Sequence, residues 1–99
     1  MTLSDLKASL AAAAPPADLS AVLVALWHDA NGDWKAAHQV AQDVDDKNGA
    51  WVHAYLHRKE GDDANAAYWY RRAGRPVARV TLNAEWELIA AALLAESSP

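Results

Sequence analysis

The stretch Gly49–Gly74, GAWVHAYLHRKEGDDANAAYWYRRAG, decides the fold. Its apolar residues recur at helical rather than alternating spacing, in two runs broken by the polar EGDD of Glu60–Asp63. The spacing predicts one helix over about Ala50–Glu60 and a second over about Asp63–Ala73. Gly74 is placed as the C-cap of the second, with Arg71 and Arg72 near its last carbonyls. A turn this short makes the pair an antiparallel hairpin.

Reading backwards, the polar DVDDKNG at Asp43–Gly49 separates this hairpin from an earlier one. Asp33 is a candidate cap for a helix with Trp34, Ala37, Ala41 and Val44 on one stripe. Before it, the NGD of Asn31–Asp33 supplies a turn. Asp18 is a candidate cap for a helix carrying Leu19, Val22, Leu23, Leu26 and Trp27 at the i, i+3, i+4, i+7 and i+8 positions. A first helix over Leu3–Ala14 is stopped by Pro15 and Pro16. Reading forwards, Pro76 forbids simple continuation, and VARVTL has no second strand to pair with, so it reads as an extended connector. Asn83 is a candidate cap for a last helix with Trp86, Ile89, Ala90 and Leu93. The expected fold is a single all-α domain over 1–99, in which hairpins 18–45 and 49–74 are flanked by an N-terminal and a C-terminal helix.

Composition agrees. The 99 residues leave room for one domain, and four glycines and four prolines favour helix over sheet. The absence of cysteine excludes disulfides and thiolate zinc sites. No apolar run approaches the roughly 20 residues of a membrane span. The early apolar run, Leu10–Ala14, is too short for an export signal. A cytoplasmic protein without membrane association is therefore expected. The net charge of −4 argues against nucleic acid as a partner. Yet Arg58, Lys59, Arg71, Arg72, Arg75 and Arg79 gather in one segment against Glu60, Asp62 and Asp63. That local excess of positive charge suits a small anionic ligand or an acidic protein partner.

An offset of thirty aligns Val22 with Val52, Leu26 with Leu56, Asp33 with Asp63, Ala36 with Ala66 and Ala37 with Ala67. Such periods mark arrays of helical hairpins. GDWKAAHQVA (32–41) resembles the second helix of a tetratricopeptide repeat, and NAAYWYRRAG (65–74) resembles the A-x-x-W-Y-x-x-A element of Sel1-like repeats. The likeness spans 22–74 and implies a hairpin fold and protein or peptide binding. The elements LWHD, HAYLHRKE and NAAYWYRR are also similar to those of a family of short uncharacterised bacterial proteins, which implies a fold and no activity.

The candidate site lies in the second hairpin. His53, His57 and Glu60 stand at i, i+4 and i+7 and share a helix face. In the thirty-residue alignment the two histidines replace Leu23 and Trp27, positions of the inward stripe. On the following helix Asn65, Trp69 and Arg72 form a second stripe, with His53 level with Trp69 or Tyr70. His38 reads as a partly exposed side chain, and His28 as a cation at a helix C-terminus.

Three readings of the histidines follow: a hydrogen-bonded polar core, a ligand pocket, or a metal site made of His53, His57 and Glu60. The pocket would be lined by His53, His57, Arg58, Asn65, Trp69, Arg71 and Arg72. There is no glycine-rich phosphate loop, G-x-S-x-G element or cysteine nucleophile, so no cofactor or covalent catalysis is expected. The favoured reading is a binding module. The alternative is a hydrolase or lyase dependent on a metal or on histidine, centred on His53, His57 and Glu60. Five tryptophans exceed the needs of so small a core, which predicts an exposed aromatic patch and a homodimer.

Overall fold

The computed structural model describes residues 1–97, and these form six helices with no strand among them. They are α1 (Leu3–Ser9), α2 (Ala21–Ala30), α3 (Trp34–Gln42), α4 (Lys47–Lys59), α5 (Asp63–Ala73) and α6 (Leu82–Ser97). The all-α expectation holds, and α2 packs on α3 as α4 packs on α5. Residues 75–81 cross without regular structure, as the connector reading requires.

Helix ends follow the side chains able to satisfy free backbone N–H groups. Asp33, Asp46 and Asp62 cap α3, α4 and α5 by accepting from the N–H groups of Ala36, Gly49 and Asn65. Other boundaries differ from the sequence reading. Thr2 caps α1 in a reciprocal box with Asp5, and α1 stops at Ser9, well before the prolines. Ser20 rather than Asp18 stands at the start of α2. Because Asp46 is the cap, α4 begins at Lys47 instead of Ala50. Thr81 accepts from the Ala84 N–H at 3.1 Å, so α6 begins at Leu82 and Asn83 lies inside it.

Helix α4 occupies the centre and packs against α2, α3, α5 and α6. Gly49 through Leu56 are buried without interruption, the mark of a helix with neighbours on every side. Two carboxylates are buried with it. Asp29, 2 % exposed, accepts from the Tyr55 hydroxyl at 2.8 Å and from Lys59 Nζ at 2.9 Å. Glu85, 3 % exposed, accepts from Arg58 Nη1 at 2.8 Å and from the Tyr70 hydroxyl. Burial, then the neighbouring carboxylate, pushes both tyrosine hydroxyls well above their usual range. Each buried charge is thus paired and hydrogen-bonded, which makes its burial tolerable.

The two inter-helix turns correspond at an offset of twenty-nine, not thirty. The N–H of Asp33 bonds the carbonyl of His28, and that of Asp62 bonds the carbonyl of His57, each at 2.9 Å. Gly32 and Gly61, at φ +81° and +89°, occupy the same left-handed place in the two turns. Leu23 therefore corresponds to Val52 and Trp27 to Leu56, all four buried. His53 corresponds to Val24 and His57 to His28. Two of the five matches at thirty are alanine pairs, which recur by composition alone.

The tryptophans do not form the expected exposed aromatic patch, and Tyr68 is the exposed aromatic residue among those described. Trp27, Trp51 and Trp86 are core residues, while Trp34 and Trp69 are half-buried. Indole N–H groups bond inward, Trp86 to the Leu26 carbonyl at 3.0 Å and Trp34 to the Leu56 carbonyl at 2.8 Å.

Candidate functional site

The α2–α3 turn brings α3 against α4, and this places His38 opposite His53. Their Nε2 atoms are 2.9 Å apart. One helical turn along α4, His57 stacks on His53 with ring centres 4.8 Å apart and lies edge-on to His38 at 5.2 Å. One ring nitrogen from each of His38, His53 and His57 falls within 4.8 Å of the others.

Two indoles stack on members of this triad. Trp34 stacks on His38 at 4.8 Å, and Trp69 stacks on His53 at 4.0 Å. Trp34 is itself tethered to the α4 backbone by its bond to Leu56, so the His38 ring has a fixed wall behind it. His53 is buried, at 6 % exposure, while His38 and His57 remain half-buried.

Glu60 does not join the three nitrogens. It accepts a 2.7 Å hydrogen bond from His57 Nδ1, so Nε2 is the His57 nitrogen not engaged by it. A carboxylate behind a ligating imidazole fixes its tautomer and orientation. The sequence reading grouped Glu60 with His53 and His57; here His38 is the residue whose ring nitrogen comes close to both, while Glu60 bonds His57 and lies near Asp62.

The other sequence candidates disperse. Arg58 turns away toward α6, where Glu85 and the Val80 carbonyl accept its N–H groups. Asn65 donates to Asp62 Oδ2 at 2.6 Å, so its polar side chain belongs to the α5 cap. Arg71 is exposed and does not line the site. Trp69 and Arg72 stay: the Arg72 guanidinium lies 5.1 Å from the centre of the Trp69 ring, a cation–π contact. With His53 they line a cleft of about 300 Å³ between the α3–α4 connector and α5.

No family model, curated protein or solved structure matches this chain. The site is therefore read from its own chemistry.

Burial, then the positive charge His38 and His57 would carry, lowers the His53 pKa to about 4. Burial also lowers that of His38, with His57 adding to the effect and Glu60 opposing it. Both rings are consequently neutral at pH 7, and in their 2.9 Å contact one Nε2 donates and the other accepts, so a metal ion would take the place of the shared hydrogen. The unfolded chain takes up a proton near pH 6.5, whereas folded His53 resists it down to about 4. Stability is thus complete above about pH 6.5 and is lost as the pH falls toward 4. In the presence of a chelator, the wild type should lose on the order of 2 kcal/mol more than His53→Gln between about pH 7.5 and pH 5. Urea midpoints at the two pH values measure it; parallel losses would mean the imidazole is freely solvated.

Proposed function

We propose that the protein is a small helical binding module whose second hairpin, completed by α3, holds a divalent transition-metal ion. The observation that supports this most directly is the convergence of His38, His53 and His57, three nitrogen donors within 4.8 Å of one another. A tetrahedral ion with metal–nitrogen bonds of about 2.0–2.1 Å separates its donors by roughly 3.3 Å. The 2.9 Å between His38 and His53 is close to that edge. The third donor requires the His57 ring, stacked on His53 with 21° between their planes, to turn about its Glu60 hydrogen bond. Imidazole nitrogens select zinc, copper, nickel or cobalt over magnesium and calcium, which take oxygen.

A purely structural triad would set three imidazoles together in a core that apolar side chains could fill. His53 and His38 would then have mainly each other to bond, at the expense of lowered basicity in both. A metal gives each ring a partner of the right kind, and the His57–Glu60 pair adds the supporting carboxylate.

The test is titration of the chelator-treated protein with Co²⁺, followed by its visible d–d absorption, with Zn²⁺ as competitor. One ion per chain is expected. His38→Ala and His53→Ala should each weaken binding by roughly a hundredfold, and Glu60→Gln by about ten- to a hundredfold. His28→Ala, at the end of α2 and outside the triad, should leave it unchanged. Equal affinity in wild type and His53→Ala would overturn the proposal.

A further inference from the structure

Given a metal on the triad, we infer that its fourth ligand is one carboxylate of a short dicarboxylate, whose other carboxylate is held by Arg72. This rests on the metal reading and goes beyond it by naming the ligand class.

The charge of the site argues for an anion. Three neutral imidazoles compensate none of a divalent ion's charge, and Glu60 reaches it only through His57. Burial of His53 keeps solvent from screening that charge fully. Among the described residues, no further His, Cys, Asp or Glu comes within the same reach of the three nitrogens. Three protein donors with no fourth leave a coordination position open to an external ligand.

The surroundings select the anion. The cleft beside the triad shares His53 with it and adds Trp69, Arg72 and Lys47. Arg72 Cζ sits 5.1 Å from the Trp69 ring centre, and that ring is 4.0 Å from His53. A second cation therefore lies on the same indole as His53, with its Nη1 donating to the Tyr68 hydroxyl at 3.2 Å and its remaining N–H groups left for an anion. Its planar fork suits a carboxylate, and the indole offers an apolar wall to the chain between the two ends. The acids lining the cleft do not occupy these positions. Asp46 is engaged by the Gly49 N–H at 2.8 Å, and Asp45 is exposed on the connector. A volume of about 300 Å³ is at the small end for a ligand site, which limits the guest to a few carbons.

The experiment uses the full chain loaded with Co²⁺ and titrated with succinate, acetate and acetamide, read by the d–d bands. Succinate and acetate should both shift the spectrum, succinate binding about tenfold more tightly, while acetamide has no effect. In Arg72→Ala, Co²⁺ affinity should be unchanged and the succinate advantage should vanish; in Arg71→Ala it should persist. A spectrum unmoved by either carboxylate, or an equal loss in the two arginine variants, overturns the inference and leaves the metal reading standing. Failure to bind Co²⁺ at all overturns both.

Discussion

Glu85→Ala should destabilise the fold by about 4 kcal/mol, the range for removing one member of a buried ion pair. The carboxylate is 3 % exposed and accepts from Arg58 and from Tyr70, while Arg58 also ties the Val80 carbonyl. It is the point where α4, α5, α6 and the 75–81 connector meet. Its loss leaves a guanidinium and a phenol facing an apolar gap, and neither can turn fully to water. Urea unfolding should show a large fall in midpoint at unchanged slope. The double variant Arg58→Met with Glu85→Leu should recover most of the loss, because the penalty comes from the orphaned charge rather than from the pair. A single-variant loss under about 1 kcal/mol would mean that water replaces the carboxylate readily.

This network shows why the fold was legible in the sequence and the buried charges were not. Helix periods, the NGD and EGDD turns and the Gly74 stop are local signals, and each is confirmed by the element it predicted. Arg58 and Glu85 are 27 residues apart. Nothing local separates an arginine that reaches an anionic ligand from one that reaches a distant helix. Sequence alone therefore groups Arg58 with its neighbour His57, although the α4 helix points the two side chains in different directions. Boundaries erred for a related reason: Asp18 and Asn83 are good caps in isolation, and packing chose Ser20 and Thr81 instead.

The candidate site was half legible. His53, His57, Trp69 and Arg72 follow from helical spacing and from the level at which an antiparallel hairpin pairs its residues. His38 and Trp34 belong to the other hairpin, and only the α3–α4 contact reveals them. Gly32 and Gly61 set the turn offset at twenty-nine, since a left-handed turn position constrains residue type far more than a helical alanine does. That register pairs the two turn glycines and aligns His28 with His57. It also removes any reason to regard His53 as a replaced leucine.

Gly49→Ala is expected to destabilise by on the order of 3 kcal/mol, against the usual gain of about 1 kcal/mol for alanine over glycine inside a helix. Gly49 is in the first turn of α4 at negative φ, so backbone freedom is not its reason. Its reason is contact: a Cβ built there would meet the Val44 carbonyl oxygen at 2.0 Å and Val44 Cβ at 2.9 Å. The nearest of these atoms is backbone and cannot swing aside, so the α3–α4 connector would have to move. That connector sets the spacing between α3 and α4, and hence the 2.9 Å approach of His38 to His53. The same substitution should then weaken Co²⁺ binding, although it touches no ligand. Asn48→Ala, one residue earlier in the same turn, is the control and should leave metal affinity unchanged. An unfolding midpoint raised by Gly49→Ala would show that the connector yields freely, and that the histidine spacing is set by the helix faces alone.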